Sequence, residues 1–403
     1  MVMGKNKDEK SEILVSIVIP SYNRYPLNLY LLESLKSQTF PHDKMEVIFV
    51  DDASTDETKK LSSQIDTPYS IKWVRNESPL GRAKARNKGV TFASGEILVF
   101  LDAEMVAAPG LIETHYFTHK DQENLVMSGW MEVRKLFTVL YPEFKRKQLK
   151  KLRSLYKDNQ DVLSLNNQDI SSQINLLSLE EITNLGVLDK RSYPLEDYEH
   201  ILNSFGDKLK GFKFSWINFC TGNVSLSKYL FQKVGGFDEQ FTGYGFEDWD
   251  LGFRLYKEGA KFIHNGNAKA YHQEHPISKS NWQDVCRNQY NFQSRYKDIK
   301  PKLLVLYLSA YPLNRDFVEL NQIACEYKEL RKDYPRQYKL FKKILPPILS
   351  HASLLLSKKK KLKNLAKSAR INEEVLGAFS KEVEYLREEY PNLINLYEQL
   401  IKL

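Results

Sequence analysis

The residues best suited to chemistry lie between Gly235 and Gly259, in the stretch GGFDEQFTGYGFEDWDLGFRLYKEG. Its front half is rich in glycine and aromatic residues. Its back half reads as a helix with Glu247, Asp248 and Asp250 in the first turn. A helix start holds ionised carboxylates comfortably, and the preceding glycines let the backbone turn sharply and a ligand come close. Tyr244, Phe246 and Trp249 would offer a ring-shaped substrate a flat wall. A carboxylate beside such a wall suits a general base acting on an alcohol. The pattern equally describes a capped helix with ordinary core aromatics, and both can hold at once.

Other clusters carry complementary chemistry. In LDAEM, Asp102 and Glu104 directly follow an apolar run, and paired oxygen ligands of this kind suit Mg2+ or Mn2+ shared with substrate phosphates. Asp51 and Asp52 close a second apolar run, where an acid is costly unless a ligand or partner satisfies it. VIPSYNR places Pro20 at a strand end, with Tyr22 able to stack on a base and Arg24 able to meet a phosphate. GRAKARN opens a helix with Arg82 and Arg86 near its start, a natural anion site. Downstream, YHQEHP supplies His272 and His275, of which His272 is the candidate to add a metal ligand to the carboxylates.

The elements that must position these groups are legible as runs. ILVSIVIPSYN, MEVIFVDDAS, YSIKWVRNE and EILVFLDAE read as buried strands. NLYLLESLKSQ and GRAKARNKGVTFA read as helices between them, and STDETKKLSSQI as a helix capped by Ser54 with Glu57 completing a capping box. Strands alternating with helices predict a mostly parallel sheet covered on both faces. Ligands bind such sheets beyond the carboxyl ends of the strands, so PSYN, VDDAS and LDAE should converge on one rim. No GxGxxG follows the first strand, which removes the dinucleotide fingerprint. Residues 131–210 are polar and read as a helical, lid-like insert. Residues 1–280 are expected to form the catalytic domain and 281–403 an α-helical extension.

The 403-residue chain, 42% hydrophobic and 12% aromatic, has the composition of a folded globular protein. Three widely spaced cysteines exclude a disulfide framework or zinc knuckle and suit a reducing compartment. The start, MVMGKNKDEKSE, lacks the apolar core of a secretory signal, and no run is long enough to span a membrane, so a cytoplasmic location is expected. The net charge of +8 is concentrated at the end: residues 301–403 hold 19 Lys and Arg against 12 Asp and Glu. Residues 335–370 carry eleven of those cations and no acid, next to the apolar ILPPILSHASLLL. That block reads either as a solvated face or as a dock for the inner, anionic membrane surface, the latter preferred over nucleic acid.

Taken together, VSIVIPSYNR, VIFVDDASTDET, GRAKARNKG, LVFLDAE and GNVSLSKYLFQKVGGFDEQFTGYGFEDWDLGFRL resemble the inverting family 2 glycosyltransferases of GT-A fold. The likeness covers most of residues 14–275 outside the insert. GGFDEQFTGYGFEDWDL is similar to the catalytic segment shared by β-1,4-galactosyltransferases and chondroitin-type polymerases. The resemblance implies a nucleotide-diphospho-sugar transferase fold, with Asp52 on uracil, Asp102 on the ribose side of a UDP-sugar, and Glu104 and His272 on a divalent metal. It implies Asp248 as the base and Glu247 as an acceptor contact. Pro20, Tyr22, Arg24, Arg82, Arg86 and Asn223 would line the donor, and Tyr244 and Trp249 the acceptor, a glycan, lipid-linked sugar or peptide. The usual DxD is Asp102-Ala103-Glu104 here, and the QxxRW element of processive synthases is absent. Transfer of one or a few sugars is therefore expected. A non-catalytic nucleotide-sugar or glycan binder of the same fold is the alternative.

Overall fold

The computed structural model describes residues 12–164 and 170–402. The expectation about the N-terminal start falls almost wholly outside these residues. Within them the chain divides into two compact units. The first comprises residues 12–199, 217–239 and 251–277, and the second 200–216, 240–250 and 278–402.

The first unit begins with four strands in the predicted runs: β1 (Val15–Ser21), β2 (Met45–Asp51), β3 (Ser70–Arg75) and β4 (Ile97–Phe100). All pair in parallel, with β1 between β2 and β4 and with β3 outside β2. Both β1 and β2 are buried nearly throughout, as strands covered on two faces must be. One cover is the helix Arg82–Phe92, where a Cβ on Gly89 would stand 2.7 Å from Val18 and 3.0 Å from Val50. That residue has to be glycine for the helix to lie so close.

β5 (Met105–Ala107) follows β4 directly, and β6 (Leu125–Ser128) comes after the helix Leu111–His119. Residues 131–199 contribute β7 (Arg134–Leu136), β8 (Val139–Leu140), β9 (Ile174–Asn175) and β10 (Ser192–Pro194). β11 (Val224–Ser227), β12 (Lys261–His264) and β13 (Ala270–Gln273) complete the unit. The main sheet has the order β12-β6-β11-β4-β1-β2-β3, with β11 the strand that runs antiparallel to both neighbours. A second sheet has the order β10-β7-β13-β5.

Two local expectations change. The helix after β2 is capped by Asp56, whose carboxylate accepts from the Thr58 amide. Ser54 instead accepts from the Asn23 amide, because the turn after β2 is needed to brace the loop after β1. Residues 131–210 do hold helices, such as Arg146–Leu155, but their short strands β7 and β10 also weave into the sheet that contains β13. A three-residue strand with polar side chains has no readable alternation, so the sequence hid it.

The second unit is helical, as expected for its C-terminal part. Its long helices include Asn281–Arg295, Ile299–Tyr307, Phe317–Asp333, Leu345–Ser357 and Pro391–Lys402. The helix Leu345–Ser357 is the apolar segment read as a membrane-facing patch. Its Leu345, Ile348, Leu349 and Ala352 are buried, and it packs on Asn281–Arg295 and Ile299–Tyr307. Most of that apolar face is therefore consumed inside the unit, leaving the neighbouring lysines exposed. Among the described residues, no helix is long and apolar enough to cross a membrane.

Candidate active site

In the first unit the ends of β1, β2 and β4 do converge. The Asn23 side chain accepts from the Thr55 amide, and the Tyr25 amide donates to Asp56, which ties the loop after β1 to the loop after β2. Arg24 leaves that loop and donates from Nε to Glu104 Oε2 at 3.3 Å. Glu104 sits between β4 and β5, and its carbonyl accepts from the Gln273 amide at 2.8 Å. β13 and β5 pair antiparallel with His272 opposite Met105. This register is what brings a histidine 168 positions away beside Glu104.

The result is a cluster of Glu104, His272 and His275, with one ligand atom from each lying within 4.8 Å of the others. His275 Nε2 is 3.5 Å from Glu104 Oε1, and His272 Nδ1 is 3.7 Å from Glu274 Oε1. Burial alone would raise the Glu104 carboxyl, but the His275 contact, the Arg24 guanidinium and His272 hold it well below the usual carboxylate range. The donor set, one carboxylate and two imidazoles, suits Mn2+ better than Mg2+, which favours oxygen. Asp102 is elsewhere: it accepts from buried Arg86 at 2.8 Å and from the Thr221 hydroxyl at 3.3 Å. The third member of the cluster is therefore His275 where the sequence pointed to Asp102. HxxH spacing was the available signal, and one member of it was passed over.

Trp130 was not visible as a site residue. Its ring meets His272 edge to face at 6.5 Å, and a Cβ on Gly222 would collide with it. Gly222 thus lets the indole press against a backbone and hold the imidazole.

The remaining donor-side candidates spread along the same rim. Pro20 is the penultimate residue of β1, and Tyr22 just beyond it is 46% exposed. Asp52 is buried and accepts from the Asn76 side chain and the amides of Leu80 and Gly81, so it shapes the loop that leads to Arg82. Gly81 makes that entry with φ +88°, a backbone region that favours glycine. Arg82, the first residue of its helix, is half-buried.

Asn223 is a correction. It is fully buried, with Oδ1 2.8 Å from His115 Nε2 and Nδ2 donating to the Ala268 carbonyl at 2.7 Å. Both ends of the amide are used inside the core, so it braces β11 rather than lining a donor pocket.

In the second unit, Glu247 and Asp248 begin the helix Glu247–Lys257 as expected, with Glu247 buried and Asp248 half-buried. Phe246, immediately before them, has φ +74°, and its ring lies 5.2 Å from Trp249. Trp249 also meets Trp216, Tyr307 and Phe317 at 6.0 to 6.4 Å. It packs in the unit's aromatic cluster yet is only half-buried, and Tyr244 is the more exposed ring at 43%.

Residues 16–180 match the family model described as Glycosyl transferase family 2, and residues 204–276 match one described as N-terminal domain of galactosyltransferase. The uncharacterized glycosyltransferase YfnE of Bacillus subtilis is 32% identical over 294 residues, 71% of this chain and 71% of the relative. The chain belongs to the family 2 glycosyltransferases. As a member of that family it is an enzyme, and its mostly parallel, helix-flanked sheet is the GT-A fold. The chondroitin synthase of Escherichia coli is 29% identical over 266 residues, 65% of this chain and 35% of the relative. The validoxylamine A glucosyltransferase of Streptomyces hygroscopicus subsp. jinggangensis is 31% identical over 247 residues, so the chain spans about half of that relative, 52%. Among solved structures, S. aureus TarS 1-349 in complex with UDP-GlcNAc aligns with a TM-score of 0.49 and 13% identity, covering 89% of this chain and 92% of that one.

Proposed function

We propose that this glycosyltransferase moves a sugar from a UDP-sugar to an acceptor hydroxyl with inversion, in the synthesis of a polysaccharide or surface glycan. The observation that carries the proposal is the meeting of Glu104, His272 and His275, with Arg24 alongside, at the carboxyl ends of the strands of a family 2 fold. The chondroitin synthase and the glucosyltransferase among the chain's relatives favour transfer of a sugar and a glycan product.

Glu104, His272 and His275 would hold a divalent transition-metal ion, for which Mn2+ is the ion to try first. Once bound, that ion offsets the negative charge that builds on the departing diphosphate. The chain's own groups do the rest. Tyr22 and Asp52 would receive the base, and Arg24 and Arg82 the phosphates. Arg86 fixes Asp102, which would meet the ribose. Asp248 would take the proton of the acceptor hydroxyl as its oxygen bonds to the anomeric carbon. The bond from that carbon to the diphosphate oxygen breaks, and UDP leaves with the electron pair. Glu247 and Tyr244 would orient the acceptor.

A dock on an anionic membrane surface would rest on charge. Lys358, Lys359, Lys360, Lys361 and Lys363 are all exposed just beyond the helix Leu345–Ser357.

The test is a screen of UDP-sugars for hydrolysis or transfer, with and without Mn2+. Asp248→Asn should reduce turnover by about 10²-fold or more, the scale of a lost general base, and leave UDP binding intact. A wild-type protein that binds UDP yet turns over no nucleotide sugar is a binder of the same fold.

A further inference from the structure

The backbone that presents Glu247 and Asp248 does not hold its own shape. Gly243, Gly245 and Phe246 all have positive φ, at +76°, +88° and +74°. For a phenylalanine this is a strained conformation that persists only where neighbours over-determine it. Several of those neighbours are on one helix, Asn281–Arg295, together with the residue that caps it.

Asp284, Asn288, Phe292 and Tyr296 recur at every fourth position, which places them along one face. Each meets the acidic segment at a different point. The Asp284 carboxylate occupies the space a side chain on Gly243 would need. Asn288 is 1% exposed, and its Nδ2 lies 3.0, 3.3 and 2.9 Å from the carbonyl oxygens of Thr242, Tyr244 and Gly245. Phe292 packs its ring 5.7 Å from Phe246. The Tyr296 hydroxyl donates to Asp250 Oδ1 at 2.7 Å. Arg287 adds a bond to the Thr242 carbonyl at 2.9 Å while paired with Asp284.

We infer that this helix face is the template for the proposed base, and that Asn288 is its central positioning residue. One side-chain amide gathers three carbonyls that a strained turn would otherwise leave pointing apart. The turn then delivers Glu247 and Asp248 at the first residues of their helix. The inference rests on the proposed role of Asp248, and the helix itself touches no substrate.

The experiment compares Asn288→Asp with wild type in the full chain, by Mn2+-dependent UDP-sugar hydrolysis and by calorimetric UDP binding. The substitution is isosteric and sets an acceptor against three acceptors. Misplacing a reacting group by about 1 Å costs about 10²-fold. The expected result is a fall in kcat of at least about tenfold with KM and UDP affinity within about twofold. Tyr296→Phe, which deletes a single hydroxyl, is the second variant and should lower kcat in the same way by a smaller factor. At low pH the carboxyl introduced by Asn288→Asp can donate a proton again, so the defect relative to wild type should shrink as pH falls.

An unchanged kcat in both variants overturns the inference. So does a loss confined to UDP affinity, or a ratio to wild type that is flat with pH. If wild type turns over and Asp248→Asn does not, while Asn288→Asp is normal, the positioning role fails alone. If Asp248→Asn is fully active, the proposed base fails first and takes this inference with it.

Discussion

Acid should loosen the first unit at β11, through two buried histidines. His115 is fully buried and His119 is 6% exposed. Their hydrogen bonds link both rings through Ser225. His115 Nε2 faces Asn223 Oδ1 at 2.8 Å, and an amide oxygen only accepts, so that nitrogen carries the hydrogen. In the neutral ring Nδ1 is the acceptor, and Ser225 Oγ lies 2.7 Å from it. The Ser225 oxygen is left to accept from His119 Nε2 at 2.8 Å. Both rings are neutral in this chain, and burial lowers His115 to about 3 and His119 to about 4, from an ordinary 6.5.

These folded values lie below the unfolded one, so the unfolded state takes up protons first as pH falls. The stability contribution is complete above 6.5, declines below it, and stops declining only near the folded values. At about 1.36 kcal/mol per unit for each ring, the pair removes about 4 kcal/mol between about pH 7 and pH 5. That window lies above the ordinary carboxylate range, so the histidines dominate it. Denaturant-dependent hydrogen exchange of β11 peptides, measured at both pH values, reads the change locally. His119→Gln retains a donor to Ser225 and removes one titrating ring, and should cut the loss to about 2 kcal/mol. A β11 transition that does not move across this pH window, or one that moves equally in the variant, would refute the reasoning.

Two further outcomes follow from single contacts. Gly222→Ala drives a methyl into the Trp130 ring, which must tilt away from His272. Mn2+ affinity, read by the free-ion electron paramagnetic resonance signal, should fall about tenfold or more, the scale of lost ligand support. An unchanged affinity would mean that the indole does not hold the imidazole. Replacing Lys358, Lys359, Lys360 and Lys361 by Gln should weaken binding to phosphatidylserine vesicles by about 1 kcal/mol per charge, without altering UDP-sugar turnover. Equal binding of wild type and variant would remove the anionic surface as a partner.

Much of the fold and part of the candidate site were legible in the chain. The runs that become β1 to β4 announce themselves because a strand buried on both faces must be apolar throughout, and such runs are hard to mistake. The acids at their ends stood out for the same reason, since Asp52, Asp102 and Glu104 interrupt apolar stretches. Glu247 and Asp248 at a helix start were equally plain, because capping chemistry is local. Helical spacing also marked the C-terminal region.

What only the tertiary structure decided is which of these groups meet. Glu104 finds His272 and His275 because β13 pairs with β5, and neither strand length nor composition encodes a register. Asp102 goes to Arg86 and Asn223 goes to His115, since a buried polar atom must find a partner and the nearest one is set by packing. The apolar helix Leu345–Ser357 looked like a surface and buries most of its apolar face, because hydrophobicity alone does not say which neighbour will cover it. Local chemistry is written residue by residue, whereas pairing between distant positions exists only once the chain has closed on itself.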